Sequence, residues 1–344
     1  MKKILVIATG GTIVCSDEGG GLRPHYSVYD LLESIGPDKM NLVVEGTTVM
    51  NIDSSNMTPG CWLQIAGSVL KHQEQYDGFV ITHGTDTMAY TAAALSYLLH
   101  GLDRPVVLTG AQYSMADMKT DAIQNLHDSL LVAAEKLCGV LVVFDGRVIN
   151  GTRAIKTKTR SYDAFESVNY PLVAEIKHNR IRYNPLIAKT FTQPVKPATD
   201  SLILPQNLVE DILILKLFPG LQPKVFDFVR DNFKGIIIES YGTGGISTDR
   251  LDLAAKVREL ADNGLIIGVT TQCLKEGVDL QIYEVGRKLP LEKIIYARDM
   301  NTEAMVAKMM WAMARSESFS DIKQIVETPI QDDLLLEERD ILFD

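Results

Sequence analysis

The chain has 344 residues, of which 46% are hydrophobic and 23% are charged, and its formal net charge is -10. Chains longer than about 250–300 residues usually divide their core between domains, so this length predicts two domains. The acidic balance argues against nucleic acid or an anionic membrane as the main partner, because both bind clusters of lysine and arginine.

Cysteine usage and the first strand both favour a cytoplasmic protein. The four cysteines lie far apart without a C-x-x-C pair, so we expect reduced thiols rather than a zinc site or a disulfide framework. The opening apolar run is too short for a signal peptide, and Thr-Gly-Gly-Thr at residues 9–12 replaces the cleavage site. No stretch approaches 18 consecutive apolar residues, so no membrane span is predicted.

The first half of the chain alternates between buried strands and helices. Apolar runs typical of buried strands occur at residues 1–8, 42–50, 78–82, 105–109 and 139–144. Helices are predicted at residues 28–35, at 59–75, from about residue 86, and at 120–136. This alternation predicts an α/β fold whose larger N-terminal domain has a parallel-rich sheet flanked by helices.

A proline-rich stretch separates this domain from a second one. Residues 190–208 show little periodicity and contain several prolines, which predicts a linker. Strands and helices alternate again beyond it, so we expect a smaller C-terminal α/β domain. The predicted boundaries are 1–189 for the N-terminal catalytic domain, 190–208 for the linker and 209–344 for the C-terminal domain. The acidic end at residues 332–344 is expected to be a loosely attached tail or a short helix.

The turn after the first strand is the first candidate for chemistry. Two adjacent glycines there allow positive φ and close approach of a ligand to the backbone, and they place Thr12 where a nucleophile or a phosphate clamp would stand. Neither G-x-G-x-x-G nor G-x-x-x-x-G-K-[ST] occurs, which argues against a dinucleotide or P-loop site. A purely structural glycine turn is an equal alternative on this stretch alone.

Polar residues also follow the other predicted strands. Thr12, Ser54, Thr85 with Asp86, and Ala111 each come directly after a strand. Ligands of parallel α/β sheets bind beyond the carboxyl ends of the strands, so these residues predict one shared site.

A threonine nucleophile needs a base for its proton and donors for the oxyanion that forms. The turn amides of Gly11, Thr12 and Thr85 are candidate donors. His83 is the conventional base, but a structural role is the favoured alternative for it. A lysine of the basic run at residues 153–160 could turn inward instead, and it would act as a base only when neutral.

Several segments of the chain resemble the bacterial-type L-asparaginases, specifically the cytoplasmic type I enzymes. The two main motifs are ATGGTI at residues 8–13 and THGTDT at residues 82–87. GAQ at 110–112, NIDSSNM at 51–57 and SYDAFESVNY at 161–170 are similar too, in the same order. The likeness covers essentially the whole chain.

This resemblance implies hydrolysis of L-asparagine to L-aspartate and ammonia through an acyl-enzyme on a threonine. It assigns Thr12 as the nucleophile, and Thr85, Asp86 and Lys156 as the other catalytic residues; Lys156 is preferred to Lys158 by counting back nine residues from Phe165. The implied substrate-binding residues are Gly11, Asp53, Ser54, Ser55, Gly84, Thr85, Asp86 and, through its carbonyl, Ala111. No cofactor or metal is implied, and the assembly is expected to be a homodimer or homotetramer.

The chain departs from the family pattern in several places. Leu22 occupies the position of a tyrosine in a mobile loop, and Tyr26, Tyr29 or a tyrosine of the second domain could replace it. Ser55 stands where many relatives have glutamine, and Gly244-Gly245 replaces an asparagine that relatives present to a neighbouring subunit. Cys273 matches a residue of the effector pocket of some type I enzymes, whereas Glu239 and Gly245 do not match its other residues, so allosteric control is not assumed.

Two other functions compete with the asparaginase hypothesis. One is the amidase subunit of a tRNA-dependent amidotransferase, which shares these motifs; we would expect it to carry an additional N-terminal domain and a basic surface. The other is a non-catalytic amino-acid sensor that keeps the pocket.

Overall fold

The protein is described from a computed structural model that covers residues 1–17, 22–24, 27–35, 40–187, 190–192, 202–280 and 288–336. The chain divides into two compact units, Met1–Leu204 and Pro205–Asp344. This division falls inside the predicted linker, whose residues 193–201 lie outside the described residues, and the exact linker limits stay a prediction. Within the described residues, no helix is long and apolar enough to cross a membrane.

The first unit contains a large mixed sheet and two small two-stranded sheets. Its strands are β1 (Lys2–Gly10), β2 (Cys15–Asp17), β3 (Leu22–Pro24), β4 (Leu42–Ile52), β5 (Gly78–Thr82), β6 (Pro105–Thr109), β7 (Gly139–Phe144), β8 (Arg147–Asn150), β9 (Ala154–Lys156), β10 (Phe165–Ser167), β11 (Ala174–Lys177) and β12 (Arg180–Tyr183). Its helices are α1 (Val28–Ile35), α2 (Pro59–His72), α3 (Met88–Leu98) and α4 (Ala122–Ala133).

The large sheet has the strand order β12-β11-β8-β7-β6-β5-β1-β4. β4, β1, β5, β6 and β7 run parallel. The apolar runs of β1, β5, β6 and β7 are buried because helices such as α3 and α4 pack against the sheet, whereas β4 at the edge is partly exposed. The predicted α/β class with a parallel-rich sheet flanked by helices is confirmed.

The sheet continues beyond β7 in a way that the predicted alternation did not include. Asp145 and Gly146 both have positive φ, at 48° and 71°, and they form a two-residue turn that returns the chain antiparallel as β8. β11 and β12 then extend this edge, again antiparallel. The sheet is therefore parallel at its centre and antiparallel at one edge.

The second unit is a smaller parallel sheet with its own helices. Its strands are β13 (Ile212–Lys216), β14 (Gly235–Ser240), β15 (Ile266–Thr271) and β16 (Ile295–Tyr296), which are neighbours in that order. Its helices are α5 (Lys224–Asn232), α6 (Leu253–Asp262), α7 (Thr302–Met313) and α8 (Phe319–Glu327). The predicted smaller C-terminal α/β domain is confirmed.

An ion pair at the centre of the second unit fixes the segment that follows α8. Lys308 on α7 and Asp333 are both 0% exposed, and Lys308 Nζ lies 2.6 Å from Asp333 Oδ2. The same ammonium donates to the carbonyl of Thr328, and Asp333 accepts from the amide of Ile330. The described part of the acidic C-terminal region, up to residue 336, is thus anchored to α7, and residues 337–344 of the predicted tail lie outside the described residues.

Candidate active site

The carboxyl ends of three neighbouring strands meet at one cavity of about 160 Å³. β1 leads to Gly11 and Thr12, β4 to Asp53 and Ser54, and β5 to Gly84, Thr85 and Asp86. Lys156, at the end of β9, completes the set of predicted residues that line the cavity. The structure thus brings together in one cavity all four predicted catalytic residues and most of the predicted substrate-binding residues.

Close backbone packing holds the strand ends together. Gly11 has φ of +85°, and a Cβ built on it would lie 2.4 Å from the amide nitrogen of Gly84. Its amide donates to the carbonyl of Ile52 at the end of β4, at 3.2 Å. Only glycine fits this position, and it allows Thr12 to begin a 3-10 helical turn at the edge of the cavity.

Thr85, Asp86 and Lys156 form a hydrogen-bonded group. Lys156 Nζ lies 2.8 Å from Thr85 Oγ1 and 2.7 Å from Asp86 Oδ1. The lysine side chain is 16% exposed and the aspartate side chain is 68% exposed, so the ammonium is sheltered while its partner faces solvent. Thr85 is buried.

The structure discriminates between the two lysines of this segment. Lys156 pairs with Phe165 in the antiparallel β9–β10 hairpin, and Phe165 packs on Phe144 with ring centroids 5.0 Å apart. The hairpin therefore fixes the end of β9 and directs Lys156 into the cavity. Lys158, two residues on, forms an ion pair with Asp163 instead.

Asp53 gives the cavity a second carboxylate. It caps the 3-10 turn Ser54–Asn56 by accepting from the amide and the hydroxyl of Ser55, at 2.8 and 2.7 Å. These two hydrogen bonds hold the pKa of the Asp53 carboxyl below its ordinary value, so Asp53 is ionised at neutral pH. Among the described residues that line the cavity, two carboxylates face the single cation Lys156.

Ser55 and Ala111 are not among the described residues that line the cavity. The Ser55 hydroxyl turns back to Asp53, and Ala111 is 1% exposed behind β6. Their predicted contacts with a substrate stay predictions.

Tyr29, one candidate for the missing loop tyrosine, is exposed and donates to the carbonyl of Gly46. Tyr26 and the side chain of Leu22 lie outside what the structure describes.

His83 is a structural residue in this fold. It is completely buried, and its Nδ1 lies 2.7 Å from the carbonyl of Gly84 while its Nε2 lies 2.8 Å from Thr91 Oγ1. A carbonyl can only accept, so Nδ1 carries the proton and Thr91 donates to Nε2. Burial lowers the pKa of His83 from 6.5 to about 4, so the ring is neutral at physiological pH and positions the Gly84–Thr85 turn.

Sequence reasoning did not select two residues that line the cavity. Gln112 stands directly after the predicted strand in the GAQ motif, and its Oε1 lies 3.2 Å from Thr85 Oγ1. Thr159 lies in the loop between β9 and β10, and this hairpin was not predicted. The position of Gln112 just beyond a strand end was the one feature of the sequence that could have identified it as a site residue.

Within the described residues, no cluster of three or more His, Cys, Asp or Glu is placed to hold a metal ion.

Comparison with protein families matches both halves of the chain. Residues 3–188 match the family model described as Asparaginase, N-terminal, and residues 211–326 match the Glutaminase/Asparaginase C-terminal domain.

Individual relatives cover nearly the whole chain. The L-asparaginase of Thermococcus kodakarensis is 35% identical over 95% of this chain and 98% of that protein, and L-asparaginase 1 of Escherichia coli is 32% identical over 97% and 98%. A glutamyl-tRNA(Gln) amidotransferase subunit from Methanosphaera stadtmanae is 31% identical over 97% of this chain and 77% of that protein.

A solved structure agrees with these relatives. The thermostable L-asparaginase from Thermococcus kodakarensis superposes with a TM-score of 0.89 at 35% identity, over 97% of this chain and 99% of that one. The motifs at the strand ends, the two matched domains and the similarity of fold lead to one conclusion: this chain belongs to the asparaginase family.

Proposed function

We propose that this protein hydrolyses the side-chain amide of L-asparagine to L-aspartate and ammonia, with Thr12 as the nucleophile. The observation that carries the proposal is the contact of Lys156 with both Thr85 and Asp86 in the cavity that Thr12 also lines. The cavity thus holds the hydroxyls of Thr12 and Thr85 beside a lysine and an aspartate. Nucleophilic acyl transfer uses groups of these kinds.

The reaction proceeds in two halves. The Thr12 oxygen attacks the amide carbon of the substrate, the new C–O bond forms and the C–N bond breaks. The hydroxyl proton of Thr12 is transferred to the nitrogen, which leaves as ammonia. Water then attacks the ester carbon, the ester C–O bond breaks, one water proton returns to Thr12, and aspartate is released. The net change is one water consumed and one ammonia formed.

The charges of the cavity suit a zwitterionic substrate. Asp53 and Asp86 provide carboxylates for an α-ammonium group, and the hydroxyl of Ser54 and the turn amides provide donors for an α-carboxylate. The backbone amides of Gly11 and Thr12 are the candidate donors to the oxyanion.

Ammonia release from asparagine and from glutamine, measured side by side over a range of concentrations, tests the proposal. Thr12→Ala should lower kcat for asparagine by about a thousandfold or more while binding of aspartate is retained. A chain that binds asparagine but releases no ammonia would be a sensor. Release that depends on a partner protein and tRNA would instead favour the amidotransferase function of some relatives.

Two further properties are proposed from the resemblance to type I enzymes. The first is assembly as a homodimer or homotetramer, and light scattering of the purified protein measures it. The exposed aromatic pair Tyr113 and Tyr162 beside the cavity supports an interface there. The second is a cytoplasmic location, which the free Cys61, Cys138 and Cys273 support and cell fractionation tests.

A further inference from the structure

Gln112 contacts the hydrogen-bonded group directly but has no part in the chemistry described above. It follows β6, is half-buried, and lines the cavity beside Thr85. Its Oε1 lies 3.2 Å from Thr85 Oγ1, and its Nε2 lies 3.1 Å from the carbonyl oxygen of Ser161 in the β9–β10 loop. Its main-chain amide donates to Asp121 at 3.0 Å, which fixes the backbone at this position.

These contacts determine where each proton lies. A carbonyl oxygen can only accept, so the amide nitrogen of Gln112 must face Ser161 and the amide oxygen must face Thr85. The amide oxygen can also only accept, so the Thr85 hydroxyl donates to it. Thr85 has a single proton, and Lys156 is therefore the donor in the contact between Lys156 and Thr85.

We propose that Gln112 is a positioning residue for Thr85, an inference that rests on the proposed function. By accepting the hydrogen bond from the Thr85 hydroxyl, Gln112 leaves one lone pair of the Thr85 oxygen for Lys156 and turns the other toward the cavity. An oxygen held in this way can accept a hydrogen bond from the Thr12 hydroxyl or from water. Gly110 lets the end of β6 approach the same turn closely, because a Cβ built on it would lie 2.3 Å from the carbonyl oxygen of His83.

The charges around Gln112 come from several elements. Asp86 and Lys156 lie on the far side of Thr85, Asp53 lies across the cavity, and Asp121 lies at the start of α4. The β9–β10 loop contributes the Lys158–Asp163 pair. A carboxyl introduced at position 112 would face the Ser161 carbonyl, which can only accept, so its neutral form is favoured and its pKa should lie above its ordinary value.

Replacement of the amide tests the positioning role. Gln112→Met keeps the length of the side chain but removes the acceptor for Thr85. We expect kcat for asparagine to fall by about tenfold, the effect of one lost hydrogen bond, with KM changed by less than about twofold. A kcat within twofold of the parent value would overturn the inference.

Gln112→Glu tests the positioning role through the dependence of kcat on pH, which a merely structural role would leave unchanged. When protonated, the new carboxyl can donate to Ser161 and accept from Thr85 as the amide does. When this carboxyl is ionised, it has no proton to donate to the Ser161 carbonyl. We therefore expect kcat to fall as the pH rises through the pKa of the introduced carboxyl. The matched control is Gln75→Glu. Gln75 lies in an exposed turn just before β5, at the amino ends of the parallel strands, whereas Gln112 lies beyond their carboxyl ends. If Gln112→Glu, Gln75→Glu and the parent share one pH profile, the inference is wrong.

A spectroscopic measurement separates this inference from the proposed function. In protein labelled with 15N-glutamine, Thr85→Val should shift the side-chain amide resonance of Gln112, because the hydroxyl that binds Oε1 is gone. An unchanged resonance refutes the contact whatever the activity. A parent protein that releases no ammonia from asparagine refutes the proposed function instead.

Discussion

The buried histidine behind the cavity makes the first unit sensitive to acid. Folding lowers the pKa of His83 from 6.5 to about 4, because the completely buried ring cannot be solvated as a cation. The unfolded chain therefore binds a proton at a higher pH than the folded chain. The stability that neutral His83 confers is present above about pH 6.5 and is lost as the pH falls toward 4.

The size of this effect follows from the two pKa values. Each pKa unit corresponds to about 1.4 kcal/mol, so the full change is about 3 kcal/mol, of which about 2 kcal/mol falls between pH 7 and pH 5. The perturbation is His83→Gln, which can still donate to the Gly84 carbonyl and accept from Thr91. The free energy of unfolding of the parent should fall by about 2 kcal/mol more than that of the variant over this pH interval.

The assay uses a tryptophan that belongs to the same network. Trp62 Nε1 donates to Thr91 Oγ1 at 3.0 Å, and the chain has only one other tryptophan, Trp311 in the second unit. In a Trp311→Phe background, urea unfolding followed by fluorescence reports on the first unit alone.

The control for this experiment keeps the histidine but removes its hydrogen-bond donor. Thr91→Val should lower the free energy of unfolding by about 1–2 kcal/mol at pH 7 and keep the acid-dependent loss. Parallel pH dependence in the parent and in His83→Gln would show that His83 is not the group that makes the first unit sensitive to acid.

Two further substitutions test other parts of the structure. Lys156→Met should lower kcat for ammonia release by about 100-fold or more, whereas Lys158→Met should keep kcat within about threefold, because Lys156 contacts Thr85 and Lys158 pairs with Asp163 instead. Equal losses in the two variants would contradict the assignment. Lys308→Met leaves the Asp333 carboxylate buried without that cation and should cost the second unit about 3–5 kcal/mol, measured by urea unfolding with Trp311 fluorescence. A loss below about 1 kcal/mol would mean that the pair does not anchor the C-terminal segment.

The parallel strands of the first unit were predictable because most contain a short, continuous apolar run. β5, β6 and β7 occupy the predicted residues, and the ends of β1 and β4 differ from prediction by at most two residues. β11 and β12 were missed because they are short and carry alternating polar residues, and β8 was missed because it has only four residues, of which two are apolar. The Asp145–Gly146 pair is a strong hairpin signal, and it would have predicted the turn into β8.

The cavity residues that directly follow a strand could be predicted from the sequence, because the predicted strands fix their positions. Thr12, Ser54 and Thr85 follow three neighbouring parallel strands, and this topology places them at one edge. The choice of Lys156 depended on resemblance, since spacing alone left the basic run open. Gln112 and Thr159 contribute through side-chain and loop geometry that strand positions do not specify.

The most direct test of the account is to identify the residue that carries the acyl group. Protein mixed with asparagine can be quenched in acid during turnover, digested, and analysed by mass spectrometry for an aspartyl ester. We predict the ester on Thr12 in the parent protein and no ester in Thr12→Ala. An ester on Thr85, or ammonia release by the parent protein with no ester formed, would rule out Thr12 as the nucleophile.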